Sequence, residues 1–307
     1  MTATNIPNED FVTGFTPQGL PVRGRAIHLS ADSLSPILKR HAYPDHLAEI
    51  LGEALMLSAL VGSGMKFQGK VLAQAEGDGT VSMLVGEYSK SGGLRAYAKY
   101  EPERWAYLNK VNKGEKPHMP QLFGPMGRLG LIIMHDNPDM QPYQGIVPLA
   151  KGSLAQCAQD YFIQSEQVDT RLKLFVRKDE QGEWHGGGMM IQKIAGDEAR
   201  GDTSEGWREA EALFATLTEA ELTDPALPMQ DLLFRLFNER GVAMDTDVQV
   251  LNDRCTCNRE RLVGTLSGMA DEALREMVEP DGTLKVDCQF CGRDYVIPIE
   301  DVTSAVS

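Results

Sequence analysis

The chain has 307 residues, 42% hydrophobic and 24% charged, enough apolar material for one large domain or two modest ones with a sizeable core. Lys plus Arg number 30 against 44 Asp plus Glu, a formal charge of -14, which argues against nucleic acid or an anionic membrane surface as partner. No basic, then apolar, leader opens the sequence and no apolar run approaches the ~20 residues of a membrane span, so the expectation is a soluble, cytoplasmic protein.

Residues 1–195 read as one mixed α/β unit. Residues 2–19 are polar and turn-rich, and 20–29 alternate loosely as a strand. Asp32-Ser33 starts a short helix over 35–40. Tyr43-Pro44-Asp45 opens a longer one, with Leu47, Ile50, Leu51, Ala54, Leu55, Leu57 and Leu60 at helical spacing. A strand over 69–75, the turn Gly77-Asp78-Gly79 and a strand over 80–86 read as a hairpin. Further strands fall at 94–100, 130–135 and 143–147, and the stretch 101–130 between them reads as a surface insertion. Residues 153–167 are helical, with Leu154, Cys157, Ala158, Tyr161 and Phe162 on one face. Strands over 171–177 and 187–194 flank a turn at 179–182. Hairpins of this kind point to an α+β fold with an antiparallel-type sheet.

Residues 195–254 hold 14 acidic and 5 basic residues, so this segment carries -9 of the total charge. It still has helical patterns over 205–217 and 226–240. The second carries Leu227, Leu232, Leu233, Phe234, Leu236 and Phe237, far more apolar than a simple linker. Such a stripe needs a surface to cover. Residues 255–307 form a small terminal module: Asn258 caps a helix, 271–278 is a second, and strands over 284–287 and 295–299 flank a cysteine pair. A module of this size needs a staple besides apolar burial.

That staple is visible in the cysteines. Cys255-Thr-Cys257, thirty intervening residues and Cys288-Gln-Phe-Cys291 offer four thiolates in two close pairs, the donor set that tetrahedral Zn²⁺ prefers. Cys-x-Cys is unusual for a purely structural site. Its thiols stay near neighbours whatever the backbone does, so they are also placed to close a strained, labile disulfide if the metal leaves. Structural staple and redox switch both remain open on spacing alone. The fifth, Cys157, reads as a small buried hydrophobe. The six histidines are scattered, Gly186-Gly187-Gly188 lacks the ending of a phosphate loop and reads as a close backbone contact, and no hydrolase triad is visible.

The cysteine arrangement resembles that of the redox-regulated bacterial heat-shock holdases, the 33 kDa chaperonin family. Supporting stretches are Cys255-Thr-Cys-Asn-Arg-Glu-Arg261, the run from Asp160 to Gln167 with Thr170-Arg171-Leu172, Gly186-Gly-Gly-Met189, and Gly77-Asp78-Gly79. The resemblance implies three parts: an N-terminal α/β chaperone core (1–195), an acidic metastable helical linker (196–254) and a C-terminal zinc-binding redox module (255–307). It implies one Zn²⁺ per chain on Cys255, Cys257, Cys288 and Cys291 when reduced and inactive. It further implies Cys255–Cys257 and Cys288–Cys291 disulfides when oxidised and active. Unfolded proteins would then be the clients, with an ATP-dependent foldase and an oxidised homodimer as further partners. Leu232, Leu233, Phe234, Leu236 and Phe237 are the candidate masking and client-binding residues, and no enzymatic role is expected. The competing readings are a thiol–disulfide oxidoreductase built on Cys288-x-x-Cys291 and a zinc-ribbon adaptor.

Overall fold

The computed structural model describes residues 10–196, 202–237 and 240–304. These form two compact units, Met1–Asp253 and Arg254–Ser307.

In the first unit, β1 (Phe11–Pro17) and β2 (Val22–Leu29) lead into α1 (Ala31–Lys39) and α2 (Asp45–Ser63). Next come β3 (Gly69–Glu76), β4 (Val81–Ser89), β5 (Gly93–Tyr100), α3 (Pro102–Val111) and α4 (Met119–Phe123). Then follow β6 (Arg128–His135), β7 (Tyr143–Pro148), α5 (Leu154–Gln164), β8 (Thr170–Lys178) and β9 (Trp184–Lys193). The acidic segment folds as α6 (Ser204–Ala215), α7 (Glu219–Leu222) and α8 (Met229–Phe237). Three short strands end the unit: β10 (Val242–Met244), β11 (Gln249–Val250) and β12 (Asn252–Asp253).

Two sheets result. The first runs β10-β1-β2-β9-β8, with β11 also on β1, and the second runs β12-β5-β4-β3-β6-β7. Their pairings are antiparallel except β12 beside β5, so the α+β, antiparallel reading holds. Helix α2 packs on both. A Cβ on Gly86 of β4 would overlap the backbone of Ala54, and one on Gly52 would lie 2.8 Å from Val176 of β8. By length and composition α2 is able to cross a membrane, which corrects the sequence expectation on apolar runs, but 72% of its apolar window is buried in this core. It is the central core helix.

Two further expectations change. The polar-looking N-terminal stretch contains β1, whose Phe11, Val12 and Phe15 are buried because the strand is covered on both faces. The stretch 101–130 is not a surface insertion throughout: Trp105, Met119, Leu122 and Phe123 enter the core. Gly77 and Gly79 make this possible, since a Cβ at either would strike the carbonyl oxygen of Phe123 or Leu122.

The second unit holds α9 (Arg259–Leu266), α10 (Asp271–Met277), β13 (Thr283–Asp287), β14 (Asp294–Pro298) and α11 (Ile299–Ser304). The Asn258 side chain caps α9 by accepting from the Arg261 amide at 2.8 Å. Strands β13 and β14 form a hairpin. Its core of buried residues is small, Leu266, Leu274, Leu284, Ile297 and Val302, too little for independent stability without a cross-link.

Candidate functional site

The β13–β14 turn positions the second cysteine pair. Cys288 donates its amide to the Arg293 carbonyl at 2.9 Å, and its own carbonyl accepts from the amides of Cys291 (3.2 Å) and Gly292 (2.7 Å). Gly292 takes φ 65°, the left-handed region that glycine reaches at no steric cost. The turn closes tightly and carries both thiols. Cys255 and Cys257 precede α9, where Arg261 Nη1 reaches back to the carbonyl and hydroxyl of Thr256, both at 3.2 Å, and pins the intervening residue.

The four sulfurs converge within 4.8 Å of one another. Cys255 Sγ lies 3.7 Å from Cys288 Sγ, and Cys257 Sγ 3.3 Å from Cys291 Sγ, so each short approach joins one pair to the other. All five cysteines are free thiols. Cys288 is buried and the other three of the cluster are half-buried. The Tyr295 hydroxyl donates to Cys257 Sγ at 3.1 Å, a partner that sequence reading missed although it stands four residues beyond Cys291. Burial raises the Cys257 thiol, but the bonds from Tyr295 and the neighbouring thiols outweigh it and bring the group down to about 7. Burial raises Cys288, and raises Cys291 to about 12. The cluster is positioned to hold one metal ion. Cys157 lies elsewhere, fully buried in α5, where burial raises its thiol.

The apolar stripe of the acidic segment has found its surface. Leu232, Leu233, Leu236 and Phe237 are buried together with Phe11, Phe15, Leu20, Val22, Met189 and Ile191 of the first sheet and its hairpin. Phe15 and Phe237 meet with ring centroids 6.0 Å apart. Phe234 is the exception. It is 66% exposed and does not belong to the covered stripe, because it falls on the opposite side of α8 from positions 229, 232, 233, 236 and 237.

Polar clamps fix the same segment. Lys173 Nζ of β8 donates to the carbonyls of Ala215 (2.8 Å) and Leu217 (2.5 Å), capping the C-terminal end of α6. Arg171 pairs with Glu211 and stacks over Trp207, while Arg240 holds Glu209 through two bonds of 2.9 and 2.7 Å. The strands β10 and β11 then stitch the end of the segment onto β1. Sequence reading located the stripe but not the face it covers.

Residues 10–298 match the family model described as Hsp33 protein. The 33 kDa chaperonin of Caulobacter vibrioides is 43% identical over 291 residues, 94% of each chain. That of Escherichia coli is 30% identical over 300 residues, 97% of this chain and 95% of its own length. The crystal structure of the 33 kDa chaperonin from Thermotoga maritima shares the fold, with TM-score 0.76 at 23% identity over 96% of this chain and 97% of that one. With residues 10–298 matched by the family model and 43% identity to a curated relative over 94% of the chain, the chain belongs to the Hsp33 family of chaperones.

Proposed function

We propose that this chaperone is a redox-regulated holdase, held inactive by Zn²⁺ on Cys255, Cys257, Cys288 and Cys291. The observation that carries the reading is the convergence of four thiols in a unit too small to stand without a cross-link. The donor set fits zinc. Bonds of ~2.3 Å in a tetrahedron place sulfurs ~3.8 Å apart, close to the 3.3 and 3.7 Å seen between the two pairs. No histidine lies beyond position 185, so the set is sulfur alone. When bound, the ion supplies cross-linking energy and keeps the thiolates paired.

Peroxide oxidises one thiol of a pair to a sulfenic acid with loss of water. The second thiol attacks that sulfur, forming the disulfide and releasing another water. Two peroxides therefore convert the cluster to Cys255–Cys257 and Cys288–Cys291, and the ion loses its ligands. The module (255–307) loses its staple, and the acidic linker (196–254) follows by leaving the first sheet. Phe11, Phe15, Val22, Met189 and Ile191 then join the linker's own Leu232, Leu233, Leu236 and Phe237 as apolar surface for unfolded clients in the cytoplasm. An ATP-dependent foldase receiving those clients, and a homodimer of the oxidised form, complete the scheme.

The position of Cys288 and Cys291 in a turn between strands supports a metal knuckle over an oxidoreductase dithiol, which normally opens a helix. The acidic balance of the chain speaks against a nucleic-acid adaptor. The test is suppression of client aggregation, measured by light scattering before and after peroxide with mild heat. Suppression should appear after treatment without disulfide-reductase turnover; turnover with no suppression would favour the oxidoreductase.

A further inference from the structure

A cavity of about 260 Å³ opens in the first unit, lined from both sheets. Its apolar wall is formed by Leu60 of α2, Leu131 and Ile133 of β6, Phe162 of α5 and Met190 of β9. Four charged side chains also line it, Arg23, Arg25, Glu166 and Asp245. Arg25 and Gly14 are cross-strand partners; the Asp245 carboxylate fills the space above Gly14, while the Arg25 guanidinium lies over Gly64. Both line the cavity.

Neither charge neutralises the other by direct contact. Among the described residues the guanidinium makes one hydrogen bond, to Ser63 Oγ at 3.3 Å, and forms no ion pair, although burial lowers its pKa and Asp245 acts in the opposite direction. A half-buried guanidinium with most of its donors unspent is costly unless an acceptor joins it. Glu166, the other acid of the cavity, is already engaged by the hydroxyls of Tyr161 (2.7 Å) and Tyr143 (3.0 Å).

We propose that this cavity binds a free amino acid with a large apolar side chain, its carboxylate on Arg25, its ammonium on Asp245 and its side chain between Leu131 and Met190. Arg23 is engaged by Gln192 Oε1 at 3.2 Å, and a head group that carries both charges satisfies Arg25 and Asp245 together, which a lone carboxylate or a lone amine does not. The volume lies just below the ~300–1,000 Å³ of drug-sized sites and suits a molecule of this size. Asp245 comes from the acidic segment, its amide donating to Gly14 O at 2.9 Å, whereas Arg25 belongs to β2. The ligand therefore bridges segment and sheet. On the linker-release reading given above, it holds the segment docked and slows activation by peroxide.

Binding to the reduced full-length chain tests the site independently of that consequence. The probes are L-phenylalanine, 3-phenylpropionate, which lacks the ammonium, and phenethylamine, which lacks the carboxylate. We expect saturable binding of L-phenylalanine at about 0.01–1 mM, and each half-headed analogue weaker by about tenfold or more. The Met190 methyl resonance should shift along the same saturation curve, which needs no variant. Arg25→Gln and Asp245→Asn should each weaken binding by a similar factor. Absence of saturation up to about 10 mM, an unmoved Met190 methyl, or equal affinity for all three probes overturns the proposal. If binding holds but L-phenylalanine leaves peroxide activation unchanged, the site stands and only its link to linker release fails.

Discussion

The carbonyl oxygen of Leu222, at the end of α7, occupies the space that a side chain on Gly187 of β9 would fill. The acidic segment thus lies against bare backbone of the first sheet, and the glycine run 186–188 is what admits it. Gly187→Val should lift α7 from the sheet at a cost of about 1–3 kcal/mol, the range for overpacking a filled site. The expected result is faster proteolysis within 202–237 and partial suppression of client aggregation by the reduced, metal-loaded protein. Unchanged proteolysis would mean that the contact does not hold the segment.

The covered stripe makes a parallel prediction. Leu233→Ala removes about 2–5 kcal/mol of packing and Phe237→Ala about 3–5, and the two are coupled through one small cluster. The double variant should suppress aggregation in part while still reduced. Phe234→Ala, on the exposed side of α8, should leave segment stability within about 0.5 kcal/mol of the parent.

Metal analysis separates the five cysteines. Cys288→Ser removes the buried thiol of the cluster, so on the zinc reading zinc content should fall sharply, with the second unit losing helical signal. Cys157→Ser lies outside the cluster and should leave zinc content unchanged.

On the zinc reading, Tyr295 orients the ligand Cys257 rather than supplying one. Its hydroxyl bond to Cys257 is of the kind whose loss lowers metal affinity by about 10–100-fold. Tyr295→Phe should show that loss in competition with a chromogenic chelator, and peroxide should release its zinc sooner than from the parent.

Mild acid should loosen the first unit. His28 is the β2 partner of Gly187, and burial lowers its pKa below the ordinary 6.5, with Asp10 opposing and His185 assisting. The unfolded chain takes up this proton near pH 6.5 while the folded chain refuses it until lower pH. The contribution is therefore fully present above the unfolded value and is lost as pH falls below it. Thermal midpoints measured across that window should decline with falling pH, and His28→Gln should make the decline shallower.

Local chemistry was readable where it repeats or clusters. The Leu47–Leu60 periodicity marks α2, Asn258 marks the start of α9, and the cysteine spacing marks the four thiols that converge. Features set by distant partners were not readable. β1 lacks alternation because both its faces are covered, and β10 to β12 are two or three residues long and exist only through pairing with β1 and β5. The apolar stripe announced that something was covered, but Phe11, Val22 and Ile191 come from three separated strands that no local pattern assembles. Phe234 shows the limit of reading an apolar run by composition: its helical position alone removes it from the stripe.

On the proposed scheme metal loss precedes release of the segment, and the apolar surfaces then bared on segment and sheet bind clients. Zinc release, proteolysis within 202–237 and light scattering of a heat-unfolding client should be followed in parallel after peroxide, with and without mild heat. Burial of the Leu232–Phe237 stripe adds stability that outlasts the metal, at ~25 cal/mol per Å² of apolar surface, so peroxide in the cold should release zinc with little suppression. Zinc loss, proteolytic opening and full suppression should coincide once heat is added. Full suppression with zinc retained and the segment still protected would contradict the account.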